Sequence, residues 1–116
     1  MRPIPLKILN QSCVDKVITK DNWGTETQEI YNLNNVYLEP SNELIKTKEN
    51  TEVKASTMLF FDLVNSKAIL NGDETSPNFN KDDIITFANI DYRIIKIDPI
   101  YQANKTDIHH YELYLR

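Results

Sequence analysis

The sequence predicts an all-β protein: a small closed or partly open antiparallel β-barrel with long loops and at most one short helix. Three runs of β-forming residues occupy the last third of the chain, and polar turn residues separate them. The chain stops as soon as the last run is complete. No segment has a sustained helical spacing of apolar residues, except for a short one near residues 63–70. We therefore expect one β-domain closed by its own C-terminal strand.

The first elements follow from local composition. Residues 1–10 are predicted to form an N-terminal arm or a single helical turn, which Pro5 could open because proline is tolerated at a first helical position. The first strand is predicted over residues 12–19, where β-branched residues are frequent. Residues 21–24 (Asp-Asn-Trp-Gly) have the composition of a turn.

The second strand is predicted over residues 27–38, with a bulge or bend at Asn34-Asn35. Pro40 is expected to end it, because proline cannot donate to a β-ladder. Residues 41–52 are polar, charged and without sustained periodicity, which predicts a long loop. A third strand is predicted over residues 54–64, and residues 65–78 are expected to form a second long connection.

The last three runs are predicted as a hairpin followed by a C-terminal strand. The hairpin pairs residues 84–87 with 92–97 across a turn in which Asn89 takes positive φ. Asp98-Pro99 is expected to interrupt the chain before the last strand begins at Ile108. On that strand alternation places two sets of side chains on opposite faces. One set is Tyr111, Leu113 and Leu115, and the other is His110, Glu112, Tyr114 and Arg116.

Composition bounds the class of protein. The 116 residues are enough for one domain with a single core, so residues 1–116 are treated as one domain that needs no disulfide or metal. The hydrophobic content of 41% and the charged content of 26% are typical of a soluble globular protein. A formal charge of -4 argues against general nucleic-acid binding and leaves only local DNA contact through one loop.

Cysteine usage and the N-terminus predict the compartment. Cys13 is the single cysteine, which suits a reducing environment. Pro3 and Pro5 interrupt the N-terminal segment, and no apolar run approaches the roughly 20 residues that span a bilayer. We expect no secretory signal, no membrane association and synthesis in a cytoplasm.

Few residues are candidates for catalysis or metal binding. Adjacent strand residues point to opposite faces, so His109 and His110 are not expected to share an ion. A histidine at the start of a strand that hydrogen-bonds to a neighbouring loop is the favoured interpretation. The Asp82-Asp83 pair precedes a strand, where acidic side chains commonly make local hydrogen bonds.

The remaining motifs also favour structural roles. Cys13 has no activating neighbour and is expected to be a small buried residue. Only Gly24 and Gly72 are present, which excludes a phosphate-binding glycine loop. The tyrosines are spread over several strands rather than interleaved with Arg and Lys, which favours core and interface positions over base stacking. We predict no catalytic residues, metal site or cofactor, and no enzymatic activity.

Several short motifs occur in a fixed order. They are Leu9-Asn10-Gln11, Asp21-x-Trp23-Gly24, Asn35-Val36-x-Leu38-Glu39-Pro40, Phe79-x-x-x-Asp83-x-Ile85-x-Phe87, Tyr92-x-Ile94 and Ile108-His109-His110-Tyr111-Glu112. In this order they resemble the small minor capsid proteins of tailed phages and prophages, which are similar to head–tail connectors of the head-completion (stopper) type. The resemblance runs from about Leu9 to the C-terminus. It departs from the family pattern at Tyr37, where Arg is usual, and at Asn89, where Gly is frequent.

The resemblance implies a β-barrel subunit that joins a homo-oligomeric ring below the portal after DNA packaging. Such a ring retains the packaged genome and allows tail attachment. The implied partners are other copies of the chain, a portal or adaptor protein above and tail proteins below, with no cofactor and no membrane. The implied location is the host cytoplasm during assembly and then the head–tail junction of the virion. The alternative is a small oligonucleotide-binding β-barrel.

Two sets of candidate residues follow from the resemblance. Residues 41–52 match the position of a channel-facing loop. If the protein contacts packaged DNA at all, this loop is expected to make the contact. The candidate channel residues are Glu43, Lys46, Lys48, Glu49 and Glu52. Residues 58–61 are apolar on both faces, as expected of a barrel wall covered by another element or another subunit. The candidate subunit-interface residues are Met58, Phe60 and Tyr114.

Overall fold

The computed structural model describes residues 2–46 and 49–116, and this part of the chain contains β-strands and no helix. The strands are β1 (Gln11–Lys20), β2 (Glu26–Pro40), β3 (Leu44–Lys46), β4 (Glu52–Lys54), β5 (Thr57–Asp62), β6 (Lys67–Leu70), β7 (Asp73–Thr75), β8 (Ile84–Phe87), β9 (Ile90–Tyr101) and β10 (Ile108–Leu115). The all-β prediction is confirmed.

Six of these strands close into an antiparallel barrel in the order β1-β8-β9-β10-β5-β2, and pairing of β2 with β1 completes the ring. Closure depends on the length of β2, which has 15 residues and pairs with β1 along one edge through residues 26–36. Along the other edge β2 pairs first with β6 and then with β5. The strands β6 and β7 therefore lie outside the ring, and β3 and β4 form a separate hairpin.

A bulge in β2 occurs where the sequence predicts one. Register along β1 shifts between Gln11, which is opposite Val36, and Cys13, which is opposite Leu33. The extra residue is accommodated at Asn35, whose φ of 56° is tolerated by asparagine. The Ser66 hydroxyl donates to the Asn35 carbonyl at 2.5 Å and thereby pairs a backbone group that the bulge leaves outside the ladder.

The core fills the barrel interior with inward-facing side chains from every strand of the ring. Its fully buried members include Leu59 and Phe61 from β5 and Leu113 and Leu115 from β10. Phe79 packs edge-on against Phe61, with ring centroids 5.5 Å apart, and against Tyr111 at 5.3 Å. The predicted grouping of Tyr111, Leu113 and Leu115 on one face of the last strand is thus confirmed, and this face points into the core.

Several local predictions are also confirmed. The N-terminal arm contains one turn, in which the Ile8 and Leu9 amides both donate to the Pro5 carbonyl. The hairpin between β8 and β9 forms across Ala88 and Asn89, which both have positive φ. A two-residue turn that matches the twist of the strands requires positive φ at both positions. The turn is two residues shorter than predicted, because Ile90 already pairs with Phe87.

Other predictions are wrong. Residues 63–70 do not form a helix: a turn leads into β6, which pairs with β7 across Asn71-Gly72, both at positive φ. The predicted connection over residues 65–78 is therefore partly a hairpin, and the predicted strand over residues 54–64 shortens to β5. Pro99 does not interrupt the chain, because β9 pairs there only with β10 and proline is tolerated at such an edge.

Candidate interaction surfaces

The outer face of β5 and β10 carries the three residues predicted for the subunit interface. Met58 and Phe60 alternate with the core residue Leu59, so they point away from the barrel interior. Across the ladder Met58 is opposite Tyr114, and Phe60 is opposite Glu112. The structure therefore brings Met58 and Tyr114 together and places Phe60 one pair further along the same face.

The hairpin β3–β4 covers the Met58 and Tyr114 end of this face. Ile45 and Ala55 form a second buried cluster with Tyr114, which is only 8% exposed, and Met58 packs against it. The Lys96 ammonium lies 5.2 Å from the centre of the Tyr114 ring. Burial raises the pKa of Tyr114. At this end the apolar outer face is covered by another element of the same chain, which is one of the two possibilities left by the sequence.

Phe60 lies in a more open environment. Its ring is 5.9 Å from that of Tyr37 and 6.2 Å from that of His110, and the side chain is half-buried. A cavity of about 310 Å³ opens beside it, and we call this cavity the Phe60 groove. It is lined by Ile4, Ile8, Tyr37, Glu39, Phe60 and His110. The groove is an accessible apolar surface on the barrel wall.

The N-terminal arm forms one wall of the Phe60 groove because Asp62 holds it in place. The Ile4 amide donates to Asp62 Oδ1 at 3.0 Å, and the Asn65 side-chain amide donates to the Ile4 carbonyl at 2.8 Å. Asp62 is completely buried, and its Oδ2 accepts the amides of Val64 and Asn65. One carboxylate thus fixes both the arm and the turn after β5.

The two histidines contact each other, contrary to the prediction that they point to opposite faces. A register shift between Ile108 and His110 interrupts the alternation of β10. The Nδ1 atoms of His109 and His110 are 2.7 Å apart, His109 Nε2 is 2.5 Å from the Arg2 carbonyl, and His110 Nε2 is 2.8 Å from Glu112 Oε2. His109 thus makes the predicted contact with a neighbouring segment.

The histidine pair links β10 to the N-terminal arm. The Arg2 carbonyl can only accept a hydrogen bond, so His109 Nε2 donates to it. His110 Nε2 lies beside the Glu112 carboxylate on the same strand.

The segment predicted to be a long channel-facing loop is a hairpin over its described residues. β3 pairs with β4 in the register Leu44–Lys54, Ile45–Val53 and Lys46–Glu52. The sequence pattern does not predict this hairpin, because β3 has a single buried residue. That residue is Ile45, which packs against Ala55 and Tyr114. The candidate channel residues Glu43, Lys46, Glu49 and Glu52 are all exposed on the hairpin or beside it. Lys48 lies outside the described residues.

A buried pair of carboxyl groups is the feature that sequence reasoning missed. Asp15 points into the barrel between Cys13 and Val17 and is completely buried, and Asp83 is 5% exposed. No hydrogen-bond donor of the described residues reaches either Asp15 carboxyl oxygen. Burial, and next the Asp83 charge, raises the pKa of Asp15 to about 8. The burial of Asp15 could have been predicted from the sequence, because alternation along β1 places residue 15 on the same face as Cys13 and Val17.

These titratable groups do not form a nucleophilic centre. Burial raises the pKa of Cys13 to about 12, so the thiol stays protonated and serves as a core residue, as predicted. Asp83 Oδ2 accepts the Asn80 amide at 2.9 Å, which is the predicted local hydrogen bond. Within residues 2–46 and 49–116, no group of three or more His, Cys, Asp or Glu side chains is arranged to hold a metal ion.

The structure is a closed β-barrel that carries an apolar groove and a charged hairpin on its outside. A family model described as minor capsid protein matches residues 5–115. The chain therefore belongs to the minor capsid protein family and is a phage structural protein of the virion. No curated protein and no solved structure matches the chain. In the described part of the chain, no helix is long and apolar enough to cross a membrane.

Proposed function

We propose that this protein is a head–tail connector subunit of the head-completion type. Copies assemble as a ring below the portal, retain the packaged DNA and present a surface to which the tail attaches. The role requires binding surfaces and no catalysis. The observation that supports it most is the Phe60 groove, an open apolar surface on the wall of a barrel from the minor capsid protein family.

A ring requires two different complementary surfaces on each subunit, because its contacts are head to tail. The Phe60 groove is one candidate surface, since a side chain from a neighbouring copy would remove Phe60 and Tyr37 from water. Portal or adaptor proteins above the ring and tail proteins below it are the further partners. Tyr114 and Met58 contribute indirectly, because they support the hairpin β3–β4 from beneath.

The hairpin β3–β4 is the part of the subunit that we place at the channel. Over residues 43–54 the three glutamates Glu43, Glu49 and Glu52 are balanced by the three lysines Lys46, Lys48 and Lys54. A segment without net charge holds the DNA backbone only weakly, so DNA passes without being bound tightly. DNA contact is limited to this hairpin.

Replacing Phe60 with Asp is expected to leave the monomer folded and to prevent assembly. Phe60 is only half-buried and points away from the core, whereas a charge in the groove opposes burial by a neighbour. The measurements are circular dichroism of the purified variant and complementation of a phage that lacks the gene.

Phe60→Leu is the matched control, because it keeps an apolar side chain in the groove and is expected to complement. Loss of the folded spectrum in Phe60→Asp would show instead that Phe60 belongs to the core. A folded Phe60→Asp protein that restores infectious particles would contradict the proposed role of the groove.

A further inference from the structure

The hairpin of β1 and β2 projects beyond the barrel. Every residue from 18 to 30 is exposed. β8 pairs with β1 only at residues 14–16, and β6 pairs with β2 only at residues 31–34. Beyond these residues, no other described strand pairs with either edge of the hairpin. The two strands nevertheless hold each other through a continuous ladder and a 2.6 Å hydrogen bond between the Thr19 and Thr27 hydroxyls. We call residues 18–30 the β1–β2 arm.

The tip of the arm is ordered and presents a tryptophan. Asp21 Oδ1 accepts the Trp23 amide at 2.8 Å and the Thr25 amide at 2.9 Å, while Gly24 takes a φ of 78° that closes the turn. The Trp23 side chain is 89% exposed. A rigid tip that holds a large apolar ring in water is typical of an interface anchor, and tryptophan is enriched among such anchors.

The rest of the arm has an apolar diagonal and an acidic charge. Lys16 is opposite Ile30 and Ile18 is opposite Gln28, so the two isoleucines are diagonal neighbours on the outer face, each 47% exposed. Between residues 18 and 30 the carboxylates of Asp21, Glu26 and Glu29 outnumber the single ammonium of Lys20. The arm is therefore complementary to an apolar surface with a positive rim.

The barrel carries such a surface between the hairpin β3–β4 and the hairpin β8–β9. This cavity of about 730 Å³, which we call the basic groove, has an apolar floor. The floor is formed by Ile45, Val53, Ile84, Tyr92 and Ile95. Five cations line it, Lys46, Lys81, Arg93, Lys96 and Arg116, against the two carboxylates of Asp82 and Asp91.

The arm of one chain cannot fill the basic groove of the same chain. Ile84, on the floor, pairs with Lys16 at the base of the arm. From Lys16 the strand continues to Lys20, roughly 13 Å at the rise of a β-strand, and Trp23 lies in the turn beyond it. An arm and a groove that are complementary in charge but separated on one chain can meet between two copies.

We propose that the Trp23 tip of one copy docks in the basic groove of the next copy. The indole covers the apolar floor beside the Arg93 guanidinium, which can stack on its face, while the arm carboxylates meet other cations of the groove. This contact is head to tail, the type that generates a ring when the rotation closes. The inference rests on the proposed ring, and it adds a pair of complementary surfaces to the Phe60 groove.

Cysteine trapping tests the contact directly. One chain carries Asn22→Cys beside the tip, and a second carries Lys81→Cys at the rim of the basic groove; both positions are exposed. Mixed at high concentration under mild oxidation, the two are expected to form a disulfide-linked heterodimer about 10-fold faster than a control pair, because docking raises the effective concentration. The control pair is Asn22→Cys with Asp73→Cys on β7, which is equally exposed.

Adding Trp23→Ser to the Asn22→Cys chain is expected to reduce trapping to the control rate. Equal rates for the two pairs would overturn the proposal, as would preferential linkage of two Asn22→Cys chains. Salt-sensitive binding of a single-stranded oligonucleotide in the basic groove without trapping would assign the groove to nucleic acid instead. If the two cysteine chains are trapped but a phage that lacks the gene still attaches tails, the contact between copies stands and the connector role is refuted. Failure of the contact and failure of the connector role are therefore distinguishable.

Discussion

Replacing Asp15 with Asn is expected to stabilise the protein above neutral pH and to remove most of the pH dependence of its stability. Asp15 lies inside the barrel, where burial first and the neighbouring Asp83 second raise its pKa to about 8. As a carboxylic acid Asp15 can donate a proton to Asp83, whereas as a carboxylate it has no donor in the described structure. The ionised form is therefore the destabilising one.

The sign of the pH effect follows from proton linkage. The unfolded chain releases the Asp15 proton near pH 4, and the folded chain keeps it until about pH 8. The stabilisation from the bound proton is thus fully present below pH 4 and is lost as pH rises from about 4 to 8. The pKa of Asp83 is raised as well, chiefly by burial, which acts in the same direction.

The measurement is urea unfolding at pH 4.5, 6.5 and 8.5. Wild-type protein is expected to lose roughly 2–4 kcal/mol of unfolding free energy across this range, and Asp15→Asn to lose much less. At pH 8.5 the variant is expected to be the more stable protein by about 1–3 kcal/mol. Asp73→Asn, at an exposed position, is the control and should follow the wild type. Equal wild-type stability at all three pH values would contradict a protonated Asp15.

Replacing Asp62 with Ala is expected to cost about 3–5 kcal/mol and to release the N-terminal arm. The carboxylate accepts three backbone amides, from Ile4, Val64 and Asn65, at 2.8–3.0 Å. Its removal leaves all three donors without this partner and opens a space where a buried group stood. The arm loses its main attachment beside the Phe60 groove.

Urea unfolding gives the loss of stability, and hydrogen exchange at the Ile4 amide reports the release of the arm. Asp62→Asn is the matched variant, because its carbonyl oxygen retains part of the acceptor capacity and an intermediate loss is expected. An Asp62→Ala protein with wild-type stability and an equally protected Ile4 amide would contradict this role.

The predicted elements that agree with the structure are those that local chemistry determines. Alternation along β10 assigns Leu113 and Leu115 to the core, and asparagine tolerance of positive φ locates the bulge at Asn35 and the turn at Asn89. Each of these features depends on a few consecutive residues. Neighbours distant in sequence change the outcome only at the edges of the elements.

The predictions that failed depend on contacts between distant segments. β3 is a strand because Ile45 packs under Tyr114, 69 positions away by their numbering, and Pro99 is tolerated because β8 ends before reaching it. The contact between His109 and His110 results from a one-residue shift between β9 and β10 that no local pattern encodes. Similarly, alternation can place Asp15 on the inner face, but its proximity to Asp83 arises only when β1 pairs with β8.

Electron microscopy of lysates from a phage that lacks this gene tests the connector role most directly. We expect free tails beside tailless heads, many of them emptied of DNA, and restoration of complete particles when the wild-type gene is supplied. Normal, infectious particles in the absence of the gene would contradict the connector role, and the oligonucleotide-binding barrel would then be the function to test.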